Sequence, residues 1–366
     1  MEERAVMKRY MAQRRSLSTW TGMAIGFRAF YAVMVDGGEL FGSAWLAMLM
    51  SVLGAVPVGL ALKMLRRAAP EKMGAAALEE AAGTWGKRLI GLALFAILIY
   101  DAGAVVILMS STAKYVAMPE ANRNLVKLAT AAAAVAASLM GTRACADASV
   151  LWRRLAAALI VVLVLTQARY FRISWLTPVL GPGIGEVAKN ALPAAGIYAF
   201  TAAGWLMLEP EHDRTGGAMI RCILFSGLIA AALSLLLGML IPGMTEAPAT
   251  RSFRIGRLLT NDRAGLTLEM PYVVLLYSGM LTMLVFELCA SANALHMVLN
   301  GVEWKACAWT AGGAAFLLSV GRWTDREALK MLSAWYYPVI ALPVCLAGLA
   351  AWNRSRRKKV QNEGNQ

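Results

Sequence analysis

Ten apolar stretches, each about long enough to cross a bilayer, fill most of this 366-residue chain. They lie near 17–35, 43–62, 89–109, 125–141, 151–168, 191–208, 219–241, 271–299, 306–320 and 331–351. A helical span needs roughly 20 predominantly apolar residues, and placing ten of them leaves only short connections. Residues 1–366 are therefore expected to form a single polytopic membrane domain. The fourth and ninth spans are the weakest, one because Lys127 stands near its start and the other because it is short. A 59% hydrophobic share exceeds what an ordinary soluble core uses. Met1 to Ser16 is basic and precedes the first apolar run without a small-residue cleavage pattern, so a retained helix is expected there instead of a removed signal.

A net charge of +14 would suit nucleic acid, but its placement points to lipid. With the N-terminus set on the cytoplasmic side, 22 of the 36 Lys and Arg fall on inside segments and 13 on outside ones, with Arg28 inside the first span. Cytoplasmic loops retain basic residues during insertion, so both termini are expected inside and no nucleic-acid partner is expected. The basic tail, 352–366, holds Arg354, Arg356, Arg357, Lys358 and Lys359 and reads as an orientation signal. Cys145, Cys222, Cys289, Cys307 and Cys345 show no Cys-x-x-Cys spacing, so neither a zinc site nor a disulfide framework is indicated. His212 lies in an acidic loop and His296 at a helix end, positions that suit solvation and packing better than metal binding. No metal or cofactor is expected.

Only three fully ionisable side chains sit deep in the spans: Arg28, Asp101 and Glu287. A charge at membrane depth costs a few kcal/mol or more, and such residues face a protein interior, a partner or a wet cavity. Arg28 is about twelve residues into its span, too deep at ~1.5 Å per residue to reach either surface comfortably. It requires an anionic partner, and Asp101, Glu287 or a protonated carboxyl are the candidates.

Two spans carry marks of interruption. Gly22 and Gly26 precede Arg28 at Gly-x-x-x-Gly spacing, which serves close helix packing or lets a helix unwind around a cavity. Span six carries Pro193 and Gly196 before Tyr198, Phe200, Thr201 and Gly204, after a Pro/Gly-rich outside segment at 178–185. The two interrupted spans are five apart, as in a five-plus-five inverted repeat, although 17–168 and 191–351 show no clear internal sequence repeat.

Several stretches read together carry a resemblance: Leu46 through Pro70, Thr84-Trp85-Gly86-Lys87-Arg88, Gly141-Thr142-Arg143, and Trp175-Leu176-Thr177-Pro178-Val179-Leu180-Gly181-Pro182-Gly183-Ile184. In order and spacing they resemble the B subunit of spore-germination receptors, a branch of the amino acid–polyamine–organocation transporter superfamily. The resemblance implies an all-α, LeuT-like fold of ten helices with helices one and six unwound at a central site lined by helices three and eight. It also implies an inner spore membrane location and A-type and C-type partner subunits. Two departures stand out: Arg28 follows a break where relatives keep small residues, and Thr201-Ala202-Ala203-Gly204 lacks the acidic residue many of them carry.

The expected site for an amino-acid-like germinant comprises Gly22, Gly26, Arg28, Asp101, Tyr198, Phe200, Thr201, Gly204, Glu287 and Ser291. One acid would neutralise Arg28 while the other meets the ligand's ammonium or carries a proton. The ligand's carboxylate would use N–H groups freed around Gly22 to Gly26, or Arg28 itself. The alternative function is a stand-alone amino acid permease driven by a proton or cation gradient. An enzyme is not expected, because His-Glu-x-x-His, Gly-x-Ser-x-Gly and paired intramembrane aspartates are all missing from the sequence. The basic outside stretch Ala247 to Leu268 reads as an interfacial helix leading into span eight.

Overall fold

The computed structural model describes residues 17–28, 43–68, 74–116, 120–177, 179, 183–208, 217–240, 260–261, 266–267, 269–299, 301–321, 345, 348–349 and 352–353. Helix α1 covers 17–28. It is followed by α2 (Ala44–Ala68), α3 (Gly74–Val116), α4 (Arg123–Leu139), α5 (Thr142–Gln167), α6 (Ile184–Met207), α7 (Gly217–Leu240), α8 (Glu269–Val298) and α9 (Trp304–Val320). The expected tenth span, 331–351, lies almost entirely outside the described residues, as do His212, the basic tail beyond 353 and most of the Pro/Gly segment at 178–182.

Hydropathy places the cores of these helices well, and the differences have local causes. Helix α5 begins at Thr142, well before the apolar run at 151, because backbone pairing continues beyond the hydrocarbon into the interface. Helix α3 is lengthened on its N-terminal side by a bent lead-in, with Gly83 at φ 78°, a conformation that L side chains resist. Glu79 closes the bend by accepting from Thr84 Oγ1 at 3.0 Å and Lys87 Nζ at 2.8 Å. Gly183, at φ 118°, turns the chain into α6. The expected interfacial helix at 247–268 is corrected where it is described: Thr260–Asn261 pairs with Leu266–Thr267 as a short antiparallel ladder.

Helix α3 lies along α8, α2 packs against α6 and α7, and α9 rests on α3, α4 and α8. Helix α5 stays outermost, exposing Leu151, Leu155, Val161 and Leu165. Where lipid tails are as apolar as the protein, small residues hold helices together by letting their backbones approach. A Cβ on Gly103 of α3 would stand 3.1 Å from Leu318 and 3.3 Å from the Ala315 carbonyl of α9, and one on Gly279 of α8 would collide with the Phe27 ring of α1. Lys127, the residue that weakens the fourth span by hydropathy, is buried and donates to the Ser319 carbonyl at the end of α9. An ammonium there meets an orphan carbonyl and the negative end of the helix dipole.

Four of these helices are long and apolar enough to cross a membrane: Ala44–Leu65, Ala82–Lys114, Thr142–Tyr170 and Val273–Val298. The Phe27–Gly279 contact yields a first test. Gly279→Ala overpacks the α1–α8 seam and should lower stability by about 1–3 kcal/mol, read as a lower melting temperature in detergent. Phe27→Leu in that background should recover part of the loss, whereas strictly additive losses would show that ring and glycine do not meet.

Candidate functional site

The three deep charges converge. Arg28 is 4% exposed, Asp101 2% and Glu287 1%, although they come from α1, α3 and α8 and stand 73 and 259 positions apart from Arg28. The guanidinium meets Asp101 in a two-pronged pair: Nη2 donates to Oδ1 at 2.6 Å, and Nη1 donates to Oδ2. Nη1 also lies 3.4 Å from Glu287 Oε1. Two parallel N–H···O bonds match the planar fork of arginine to a carboxylate and fix its orientation as well as its charge. Asp101 is therefore the primary partner of Arg28, and Glu287 is the secondary one. Among the described residues, Glu287 Oε2 is buried without a hydrogen-bond partner.

Local sequence explains how each charge reaches the centre. On α3, Asp101 and Gly103 are two residues apart and so project to nearly opposite sides. Gly103 seats the helix against α9 while Asp101 faces α1 and α8. On α1, Phe27 is seated on Gly279, and two helical turns earlier Trp20 Nε1 donates to the Thr282 carbonyl of α8 at 3.1 Å. Trp20 also meets Phe286 edge to face, with centroids 5.4 Å apart. These contacts fix α1 against α8 over the two turns that lead into Arg28.

The other expected site residues have different placements. Helix α1 is regular through Gly22 and Gly26 to residue 28, and α6 runs unbroken from Ile184 to Met207, so the unwinding expected at these glycines does not occur in the described segments. The reason lies in packing. Ser226 of α7 donates to the Gly22 carbonyl at 3.3 Å, and the Phe286 ring fills the space beside Gly204, where a Cβ would stand 2.5 Å from it. Gly204 serves close approach, whereas a Cβ on Gly22 would meet Ser226 at 3.4 Å, an ordinary contact. Gly26 has open space beside it, yet its position two residues before Arg28 puts it on a different face of α1. Tyr198 is fully buried with its hydroxyl beside Gly227 of α7, turned towards α2 and α7. Ser291 returns its hydroxyl to the Leu288 carbonyl at 3.0 Å. Thr201 is buried, and the side chain of Phe200 lies outside the described residues.

Some organising residues escaped the sequence reading. Asn293 of α8 donates Nδ2 to the Met207 carbonyl at 2.8 Å and accepts from Trp304 Nε1 at 2.5 Å, joining the end of α6 to the start of α9. His296 Nδ1 lies 2.8 Å from the Val302 carbonyl, and the ring thereby ties down the α8–α9 turn. An asparagine deep in an apolar span was the available signal for the first of these. Among the described residues, no three His, Cys, Asp or Glu side chains gather as a metal site would need.

Comparison with known proteins shows the fold. The chain is similar to solved structures of the Eremococcus coleocola manganese transporter. With a histidine-to-alanine variant it shares 14% identity at a TM-score of 0.60, covering 93% of this chain and 86% of that one. With a glutamate-to-glutamine variant the identity is 13% and the TM-score 0.60 over the same shares. With that transporter bound to an aromatic bis-isothiourea compound the values are 13% and 0.58. No protein-family model matches the sequence. No curated protein matches it either. The chain thus shares its overall helical fold with that transporter.

Removing one member of a buried ion pair strands the other charge and costs about 3–5 kcal/mol, whereas replacing the pair by apolar groups is often tolerated. In a Glu287→Gln background, which leaves Arg28 with Asp101 alone, Asp101→Asn should therefore lower the melting temperature sharply, and Arg28→Met combined with Asp101→Leu should recover much of the loss. Equal losses from the single and double variants would mean that the two side chains are not coupled in the membrane.

Proposed function

We propose that this chain binds a small amino-acid-like solute at the Arg28–Asp101–Glu287 cluster and serves as the membrane subunit of a spore germinant receptor. The observation that carries the binding reading is the cluster itself: opposite charges from three nonadjacent helices, held at membrane depth in a transporter fold. Buried intramembrane charges mark solute or ion pathways by default. The receptor role, with A-type and C-type partner subunits, the inner spore membrane and both termini in the cytoplasm, rests on the sequence resemblance and the distribution of basic residues. We also infer the five-plus-five repeat, supported by α2 lying against α7 and α3 against α8, each pair five helices apart. Gly26, Phe200 and Thr201 stay candidates for contact with the solute. Gly22, Tyr198, Gly204 and Ser291 are engaged in packing or in their own helix.

A stand-alone permease is the second reading, and the transporter fold favours it. A divalent metal such as the neighbours' manganese fits less well as cargo, because the guanidinium holds both oxygens of Asp101. Purified protein screened by thermal shift against amino acids, nucleosides and sugars should be stabilised by a member of the first class, since ligands that favour the folded state raise apparent stability. Glu287→Gln should abolish that shift while leaving the unliganded melt nearly unchanged. Stabilisation by no amino acid would defeat the binding reading. Solute uptake by the protein alone in liposomes would favour the permease over the receptor.

A further inference from the structure

The charges at the centre do not balance. One guanidinium stands among two carboxylates, so the cluster lacks one unit of positive charge when both acids are ionised. The shortfall falls on Glu287. Both terminal nitrogens of Arg28 donate to Asp101, whereas Glu287 receives one contact from Arg28 at 3.4 Å, has its carboxyl against that of Asp101, and keeps Oε2 without a hydrogen-bond partner among the described residues. An ionised carboxylate oxygen buried in this way is unfavourable unless a cation or donor reaches it. The other buried cations of the described residues are committed elsewhere, Lys87 to Glu79 and Lys127 to the Ser319 carbonyl. Ser291, one turn further along α8, is turned back onto its own helix.

A carboxylate on the ligand meets the opposite situation. Helix α1 keeps its backbone pairing through Gly22 to Gly26, which removes the N–H groups that an unwound segment would have offered. The guanidinium is already engaged by the aspartate in bidentate fashion, and a second anion close to Asp101 and Glu287 would be repelled by both.

We propose that the ligand is recognised as a monocation: its protonated primary amine seats on Glu287 Oε2, and a free carboxylate on the ligand contributes nothing to binding. This inference rests on the amino-acid-like reading above and narrows it to the ammonium end of the molecule. The ammonium supplies the single missing charge and the donor that the unpartnered oxygen requires. A divalent ion would overshoot that charge and would find Asp101 occupied.

The test uses the full-length protein in detergent and a panel in which each amino acid is paired with its methyl ester, its decarboxylated amine and its N-acetyl derivative. For whichever amino acid raises the melting temperature, the ester and the amine should raise it at least as much, and the N-acetyl derivative should not raise it. Glu287→Gln should weaken ester binding about tenfold to a hundredfold, the range expected for losing a charged hydrogen bond. Glu287→Asp, which keeps the charge on a shorter arm, should retain part of the binding and so separates recognition from misfolding. Stabilisation by the amino acid but not by its ester or amine overturns the inference and leaves the proposed function standing. Stabilisation by the N-acetyl form does the same. A panel in which nothing stabilises overturns both and leaves a proton as the sole occupant of Glu287.

Discussion

The fold depends on keeping one deeply buried guanidinium paired. Arg28 lies too far along its helix to snorkel, so α1 can insert only where carboxylates from other helices are waiting. Asp101 supplies a planar bidentate match and Glu287 a weaker second contact, which draws α1, α3 and α8 to one point. Such a cluster is weak support for stability as such, because desolvation opposes the Coulomb attraction. Its stronger effect is on arrangement: any register that separates the three charges leaves at least one of them unpaired in an apolar interior. The surrounding contacts agree with this. Gly279 admits Phe27, Gly204 admits Phe286, and the Trp20 indole reaches the Thr282 carbonyl, so the seam that presents Arg28 is made of close approaches.

Much of this architecture is legible in the sequence, because the bilayer converts apolar length into helix length with little dependence on tertiary detail. Helices α4, α7, α8 and α9 each begin within two residues of the expected starts at 125, 219, 271 and 306. The three deep charges were legible for the same reason: an ionisable side chain inside an apolar run stands out by its cost. The choice of partner was not, since the preference of Arg28 for Asp101 over Glu287 is decided by the relative rotation and height of three helices, which no local pattern encodes.

Glycine was the misleading signal. Gly-x-x-x-Gly spacing and the small residues of α6 are equally consistent with an unwound helix and with a tight helical contact, and the difference lies in what stands opposite. Phe286 stands against Gly204, which explains that glycine by packing, Ser226 bonds the Gly22 carbonyl, and both helices continue through these positions in the described residues. Lys127 misled in the other direction. It weakens the fourth span by hydropathy, yet it is retained because the last turn of α9 offers it a carbonyl.

The unequal pairing of Arg28 bears on how occupancy at this site would be felt elsewhere. A ligand moves a conformational equilibrium only through its differential affinity for the two states. The bond from α1 to α3 is bidentate and short, whereas the bond from α1 to α8 is a single contact at 3.4 Å shared with an otherwise unpartnered carboxylate. On the proposed reading, a cationic group seated on Glu287 Oε2 would draw the carboxylate's charge away from the Arg28–Oε1 contact and leave the Arg28–Asp101 pair in place. That would weaken α1 against α8 at that point while α1 stays clamped to α3, a change in one seam with no general loss of packing. Trp20, Phe27 and Gly279 lie along that same seam. Close contacts of this kind resist small deformations, because well-packed interfaces are poorly compressible, so a rearrangement there would be a step from one packing to another. Both a receptor that signals across the membrane and a permease that changes its side of access require such a two-state seam. On the proposed function, the trigger of that seam would be the charge cluster where α1, α3 and α8 meet.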